Sequence, residues 1–212
     1  MQKPDGIARR NEEFFDSRAE TYDKRFWFTH KGLWKFVFLL QLGNNPYLLD
    51  LGCGTGWALR YAANRTKGQG EFYCVDNSSK MIEQAKPNLK ATATCIFTSQ
   101  ELKSPPFDDD FFDVVISSSA IHHFSNPEKP LREANRVLKP KGQLYILDAT
   151  ANNAFMRVVD RFTRKIEPAH VKYCSTKEFQ ALFERARLCY IASKRIIPAV
   201  EVHIAEKANL NA

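Results

Sequence analysis

The segment LLDLGCGTGWALRYAA, residues 48–63, contains a short apolar run, three glycines and a helical pattern in that order. This order is typical of the first strand, loop and helix of an open α/β sheet, in which ligands bind at the carboxyl ends of the strands. Gly52, Gly54 and Gly56 allow a sharp turn and a close approach of ligand to backbone, and the N–H groups of the next helix attract an anionic group. The segment predicts a ligand site, with a purely structural turn as the alternative.

The spacing of the glycines excludes two common nucleotide motifs. The pattern is GxGxG, whereas a dinucleotide fingerprint has its third small residue one position later, where this chain has Trp57. No GK[ST] follows the loop, so the Walker pattern also fails. Neither a dinucleotide nor a nucleoside triphosphate is favoured.

Strand-like and helix-like segments alternate on both sides of the glycine loop. The pattern predicts an α/β fold, a Rossmann-like doubly wound mixed sheet that is mostly parallel. The predicted strands cover residues 47–51, 71–76, 92–98, 112–118 and 142–148, and the intervening helices cover 57–64, 78–86 and 127–138. Pro87 is expected to end the second of these helices. Helices are also predicted at 154–166 and 176–187, followed by an antiparallel C-terminal hairpin around Pro198.

Length and composition indicate one globular domain over residues 1–212. Hydrophobic residues make up 44% of the 212 residues and charged residues 26%, which argues against a disordered chain. The longest apolar run, Phe36 to Leu42, is far shorter than the ~20 residues of a membrane span. The first residues lack the apolar region of a signal peptide. We therefore expect no membrane span and a cytoplasmic location.

Charge and cysteine content give weaker indications of partners. The net charge of +7 is dispersed without a basic run, so a solvated surface is favoured over a nucleic-acid groove. The five cysteines form no CxxC pair and have no histidine at zinc-finger spacing, so reduced, mostly structural thiols are expected. Asp108, Asp109 and Asp110 lack a converging histidine, and no metal is predicted.

Asp76 ends the second predicted strand, 20 residues after Gly56. An acidic side chain at this place can accept hydrogen bonds from ribose hydroxyls. The residue predicts an adenosine-bearing ligand, with an ordinary surface aspartate as the alternative.

Several motifs in order resemble those of the class I S-adenosylmethionine-dependent methyltransferases. They are DLGCGTG, VDNSSKMIEQAK, SQELKSPPFDDDFFDVVISSSAIHHF and LREANRVLKPKGQLYILD, which together run to Asp148. The ubiquinone/menaquinone-type group of small-molecule methyltransferases is most similar. The resemblance implies S-adenosyl-L-methionine as cofactor, with S-adenosyl-L-homocysteine as product, and a transferase activity. It also implies an N-terminal helical lid (1–43), a cofactor-binding core (44–150) and a substrate-covering segment with the hairpin (151–212).

The resemblance also assigns cofactor contacts residue by residue. It places Asp50, Gly52, Cys53 and Gly54 around the methionine end of the cofactor, and Asp76 at the ribose. Asn77 and Met81 would flank the adenine, Glu101 would face its amino group, and Leu102 would offer a backbone N–H. Ser117 would lie beside the methionine moiety. Tyr22 matches a lid tyrosine, although ordinary helix packing explains it equally well.

Methyl transfer is an in-line displacement, so positioning alone can supply much of the rate. A hydroxyl or carbon acceptor must also lose a proton, and a histidine is a natural base. His122 follows the fourth strand and Asp148 ends the fifth, so neighbouring strands would bring the two together as a base and its orienting carboxylate. A structural role for His122 remains an alternative, and His123 is expected to point elsewhere.

The leading hypothesis is a methyltransferase for a small or lipophilic acceptor. The alternatives are a nucleic-acid (tRNA) methyltransferase, a non-catalytic cofactor-binding partner subunit and, least favoured, a nicotinamide oxidoreductase. The acceptor, the methylated atom and the oligomeric state are left open by the sequence.

Overall fold

The computed structural model describes residues 6–25, 30–89, 94–99 and 106–208. Seven strands form one sheet in the order β3-β2-β1-β4-β5-β7-β6. The first five strands are parallel, and β7 joins β5 and β6 in antiparallel fashion. The strands are β1 (Tyr47–Leu51), β2 (Glu71–Asp76), β3 (Thr94–Ser99), β4 (Phe112–Ser118), β5 (Leu138–Ala149), β6 (Leu188–Ile197) and β7 (Val200–Lys207).

Helices lie before β1 and in the connections between the strands. They are α1 (Gly6–Asp16), α2 (Tyr22–Arg25), α3 (His30–Leu39), α4 (Trp57–Arg65), α5 (Ser79–Leu89), α6 (Glu128–Val137), α7 (Ala154–Ile166) and α8 (Thr176–Arg185). Short 3₁₀ turns cover Ala19–Thr21 and Ile121–His123. Ser78 caps α5, because its hydroxyl accepts from Met81 N at 3.1 Å.

Helices cover both faces of the sheet, so two hydrophobic cores form. Leu48 packs in the core that contains Phe36 and Leu59 of α3 and α4. Leu49, the next residue of β1, packs in the core that contains residues of α6 and α8 such as Phe179. This alternation follows from the two-residue period of a strand. The predicted Rossmann-like mixed fold and its C-terminal antiparallel hairpin are confirmed.

The predicted end of α5 at Pro87 is wrong, because the helix continues to Leu89. Proline removes one backbone hydrogen bond from the helix. Tertiary contacts of the last turn offset this loss. Leu89 is fully buried, and the Asn88 amide donates to the carbonyl of Thr55 at 2.8 Å.

The expectation of reduced thiols is wrong for two of the five cysteines. Cys53 and Cys74 form a disulfide, with Cα atoms 5.7 Å apart. Cys53 follows β1 and Cys74 lies in β2, so adjacency of parallel strands brings together residues that are 21 apart in the chain. A search for CxxC spacing does not detect such a pair. Cys174 and Cys189 are free thiols.

Among the described residues, no helix combines the length and apolar character required to cross a bilayer.

Candidate active site

The glycine loop between β1 and α4 adopts the backbone that its sequence predicts. Gly52, Gly54 and Gly56 all have positive φ, at 78°, 53° and 81°. A Cβ on Gly56 would lie 2.9 Å from Leu89 Cδ1, whereas a Cβ on Gly54 would meet nothing within 4 Å. Gly56 therefore permits close packing of the loop on α5, and Gly54 presents bare backbone to open space.

Asp76 fastens this loop to the start of α5. Its Oδ2 accepts from Gly54 N at 2.8 Å and its Oδ1 accepts from Ser78 N at 2.9 Å. The side chain is nearly buried, and burial raises the pKa of Asp76 to about 6 despite these hydrogen bonds. A carboxylate with two oxygens keeps lone pairs for further donors, as ribose recognition requires.

A cavity of about 380 Å³ opens beside the loop. Nine of the predicted site residues line it: Tyr22, Gly52, Cys53, Gly54, Asp76, Asn77, Met81, His122 and Asp148. Glu101 and Leu102 lie outside the described residues. Asp50 and Ser117 are not among the residues that line the cavity.

Asp50 and Ser117 are buried behind the cavity wall. Neither Asp50 carboxylate oxygen has a hydrogen-bond partner among the described residues. Burial, reinforced by the charge of Asp76, raises the pKa of Asp50 well above its ordinary value. Ser117 Oγ donates to Leu51 O at 2.8 Å and so joins β4 to β1. Its neighbours Ser118 and Ser119 face the cavity instead.

The residues around the loop fit an adenosine-bearing cofactor. Gly54 leaves a cradle that a Cβ would partly fill, Asp76 offers acceptor oxygens beside it, and Met81 supplies an apolar wall. Tyr22 lines the cavity from the N-terminal segment. Burial, followed by the charges of Asp76, Glu167 and Asp23, raises the pKa of Tyr22 to about 12, so its hydroxyl remains a donor at neutral pH.

Asp23, a residue that sequence analysis missed, joins the N-terminal segment to the glycine loop and to α4 and α5. The Asp23 carboxylate accepts from Thr55 Oγ1 at 2.6 Å, Trp57 Nε1 at 2.8 Å and Asn88 Nδ2 at 3.3 Å. The indole at position 57, which argues against a dinucleotide, thus donates to the N-terminal segment. The one sequence feature that points to this contact is Trp57, a bulky residue with an N–H donor directly after the glycine loop.

We predict that Asp23→Ala loosens the lid and weakens binding of S-adenosylhomocysteine by about tenfold. The change removes the shared acceptor of three donors, and a hydrogen bond to a charged group contributes a net of about 1.5–3 kcal/mol. Isothermal titration calorimetry measures the affinity, and Glu20→Ala, an exposed acidic residue on the same segment, is the matched control. Equal affinities of Asp23→Ala and Glu20→Ala would contradict this role of Asp23.

His122 and Asp148 form the predicted contact. His122 Nδ1 lies 2.6 Å from Asp148 Oδ1, and His122 N donates to Oδ2 at 3.1 Å. Ala149 N also donates to Oδ1, so the carboxylate is held in place. Burial by itself lowers the pKa of His122, but the charge and hydrogen bond of Asp148 outweigh burial, and the pKa is raised. With Nδ1–H on the carboxylate, Nε2 carries the lone pair.

The expectation that His123 points elsewhere is wrong. The 3₁₀ turn at Ile121–His123 places both imidazoles on the cavity, with ring centroids 3.9 Å apart. His123 Nδ1 lies 3.0 Å from Ala169 O. Burial, followed by the charge of His122, lowers the pKa of His123 well below its ordinary value. The pair therefore combines one imidazole with a raised pKa and one with a lowered pKa that stays neutral.

Among the residues that the structure describes, one cluster could hold a metal ion. It consists of His122, His123 and Glu167. One ligand atom from each lies within 4.8 Å of the others. His123 Nε2 and Glu167 Oε1 are 3.9 Å apart. The sequence-based expectation of no metal stays a prediction.

The segment after α7 completes another part of the cavity wall. Tyr173 and Glu167 line the cavity, whereas His170 is buried behind them. Asp160 of α7 holds this segment, because its Oδ1 accepts from Tyr173 N at 2.7 Å and lies 2.8 Å from His170 Nε2. On α7 itself, Phe155 is exposed to solvent and Met156 packs inward, and neither is among the residues that line the cavity.

Comparisons with known proteins agree with this geometry. A family model described as a methyltransferase domain matches residues 49–146. The uncharacterized methyltransferase YcgJ of Bacillus subtilis is 31% identical over 186 residues, which cover 85% of this chain and 72% of that protein. The demethylmenaquinone methyltransferase of Chlamydia muridarum is 36% identical over 140 residues, which cover 64% of this chain and 60% of that protein.

Solved structures show the same fold at lower sequence identity. A putative methyltransferase in complex with the Haloferax volcanii Trm112 activator has a TM-score of 0.79 and 21% identity, over 95% of this chain and 99% of the other. The 1,6-didemethyltoxoflavin N1-methyltransferase of Burkholderia thailandensis, with bound 1,6-didemethyltoxoflavin and S-adenosylhomocysteine, has a TM-score of 0.77 and 17% identity, over 99% and 92%. At these identities the likeness concerns the fold alone.

Proposed function

We propose that this chain, which belongs to the class I S-adenosylmethionine-dependent methyltransferases, methylates a small, lipophilic acceptor whose proton is taken up by His122. The observation that carries the proposal is the His122–Asp148 pair on the wall of the cavity that also contains the glycine loop. The acceptor class is supported by the cavity lining, which includes the apolar residues Ile7, Phe14, Phe15, Leu33, Ile197 and Val200.

The cofactor, when bound, supplies a methyl group on a sulfonium centre. Gly54 and Asp76 would hold its nucleoside and amino-acid parts, and Asp23 would keep the lid closed over them. Such positioning supplies much of the rate of an in-line displacement, because the nucleophile is held opposite the methyl group. Closure by the lid also keeps water from the reacting atoms.

His122 contributes the proton step. Asp148 receives the Nδ1–H, so Nε2 is the atom that accepts a proton from an acceptor hydroxyl or an activated carbon. The nearby carboxylate then stabilises the imidazolium by its charge. His123, kept neutral by burial, would pack beside the acceptor without competing for its proton.

Relatives support a small acceptor without identifying it. The chlamydial relative is a demethylmenaquinone methyltransferase, and the Burkholderia thailandensis neighbour binds 1,6-didemethyltoxoflavin. Neither acceptor is a macromolecule. This chain spans about three fifths of the chlamydial protein, so the acceptor is assigned here only by class.

An acceptor panel with methyl-labelled cofactor tests the proposal. We expect label transfer to hydroxylated quinols or naphthols with alkyl chains, and little transfer to tRNA or to charged amines. The cavity is lined largely by apolar side chains, which favour a lipophilic acceptor over a charged one. Transfer to tRNA alone, retained only at low salt, would contradict the proposal.

A partner-dependent activity is the second candidate, and one comparison favours it. A neighbour with the same fold occurs in complex with the Trm112 activator. If this chain also required an activator, the isolated chain would bind S-adenosylhomocysteine but transfer no label to any acceptor. Turnover by the isolated chain would exclude this candidate.

A further inference from the structure

Helix α7 carries an apolar stripe that nothing in the described chain covers. Phe155, Val158, Phe162 and Ile166 are 74%, 66%, 61% and 64% exposed. At ~100° per residue, these four positions span about 80° of the helix circumference. The opposite side of the helix faces the protein, where Met156 and Asp160 are buried. Side chains of this size are seldom exposed together on one helix without a partner.

Basic residues flank one side of the stripe. Arg157, Arg161, Arg164 and Lys165 are all exposed, and they follow the neighbouring sector of the helix. The acidic residue of α7, Asp160, is buried, where it accepts from Tyr173 N and pairs with Arg164. The outward surface of α7 is thus apolar and cationic, a combination that is typical of helices that lie in the interface of an anionic lipid layer.

A second copy of the chain fits this surface less well. An antiparallel two-fold pair of α7 helices would place the basic row of one copy against the basic row of the other. Like charges in contact are unfavourable, whereas an anionic lipid surface attracts the basic row. Charge therefore favours an anionic lipid layer over self-association.

The position of α7 relates this surface to the active site. The helix ends at Ile166, and the next residue, Glu167, lines the cavity. Asp160 ties the helix to the backbone of Tyr173, another lining residue. A lipid layer that touched α7 would therefore lie next to the wall of the cavity.

We propose that α7 docks the protein on the surface of an anionic bilayer, with Phe155, Val158, Phe162 and Ile166 inserted among the acyl chains and the basic row on the headgroups. The proposal that a lipophilic acceptor enters from this layer rests on the proposed function, whereas the lipid contact itself does not. No crossing of the bilayer is involved.

Sedimentation with vesicles tests the contact. The full chain is expected to bind vesicles of phosphatidylcholine with phosphatidylglycerol about tenfold or more better than phosphatidylcholine alone, and high salt should weaken the binding. Phe155→Ser with Phe162→Ser should abolish most of the binding. The matched control, Phe38→Ser with Ile191→Ser, removes two other exposed apolar side chains and should retain it.

Two double variants that change the net charge equally distinguish the effect of the basic row from that of the net charge. Arg157→Glu with Arg161→Glu should reduce binding to anionic vesicles by about tenfold or more, since each basic residue near such a surface contributes about 1 kcal/mol. Lys80→Glu with Lys86→Glu, exposed on α5, changes the net charge equally and should have a much smaller effect.

Three results would overturn the proposal. They are absence of binding to anionic vesicles, equal losses in the α7 variants and their controls, and a dimer in solution that Phe155→Ser with Phe162→Ser dissociates. Label transfer to a short-chain, water-dissolved acceptor is measured on the same variants. If an α7 variant loses vesicle binding but still transfers label, the role of α7 in lipid contact is supported independently of the active site. If the wild-type chain transfers label to no acceptor, the proposed function fails and the lipid contact is unaffected.

Discussion

Replacement of Asp76 by alanine is expected to weaken binding of S-adenosylhomocysteine by roughly 10- to 150-fold, or about 1.5–3 kcal/mol, the usual range for hydrogen bonds to a charged group. Two causes act together. The variant loses the acceptor oxygens assigned to the ribose, and it leaves Gly54 N and Ser78 N without their carboxylate partners. Isothermal titration calorimetry gives the affinity, and urea unfolding gives the accompanying loss of stability.

Asp76→Asn and the pH dependence separate these causes. The asparagine keeps one acceptor for the loop but does not ionise. The affinity of Asp76→Asn for S-adenosylhomocysteine should therefore not change with pH around 6. In the wild-type chain, burial raises the pKa of Asp76 to about 6, and protonation removes the charge that attracts ribose hydroxyls. Affinity should therefore fall as the pH is lowered through about 6. An unchanged affinity of a folded Asp76→Ala chain would refute the ribose assignment.

The glycine loop shows what a sequence can predict about such a site. The three glycines and Asp76 have local backbone requirements, namely positive φ and a strand end, which leave a signal in the order of residue types. The contact of His122 with Asp148 was also predictable, because neighbouring parallel strands bring their carboxyl ends to one edge.

Contacts between distant segments were not predictable in the same way. Asp23 meets Trp57 only because the N-terminal segment packs on the glycine loop, and Cys53 meets Cys74 only because β1 and β2 pair in one particular register. The direction of His123 depends on a 3₁₀ turn, in which adjacent side chains diverge less than strand alternation would require. Tertiary geometry, rather than residue type, decides these cases.

Replacement of His122 by alanine is expected to lower turnover by roughly 10²- to 10⁴-fold, the usual contribution of a general base, and to leave cofactor affinity nearly unchanged. Asp148→Asn should also lower turnover, since the imidazolium loses its electrostatic support and the Nδ1–H loses its acceptor. Because the two residues act as one unit, the double variant should be no slower than His122→Ala alone. Single-turnover measurements with a responsive acceptor give these rates.

The pH profile adds a readout that mere packing would not change. A base must be neutral, so turnover should decline as the pH falls through the pKa of His122, which Asp148 raises. Asp148→Asn removes that cause and should shift the acidic limb of the profile to lower pH. Additive losses in the double variant, or an unshifted limb, would contradict a base pair.

Treatment with EDTA distinguishes the base from a metal ligand. If His122 acts through Nε2 as a base, chelation should leave turnover unchanged, and His123→Asn, which keeps a donor for Ala169 O, should cost much less than His122→Ala. If His122, His123 and Glu167 instead hold an ion, chelation, His122→Ala, His123→Asn and Glu167→Gln should all lower turnover. The base assignment therefore depends on His122 and Asp148 being sensitive while His123 and Glu167 are tolerant, because only the first two residues share the proton-transfer contact.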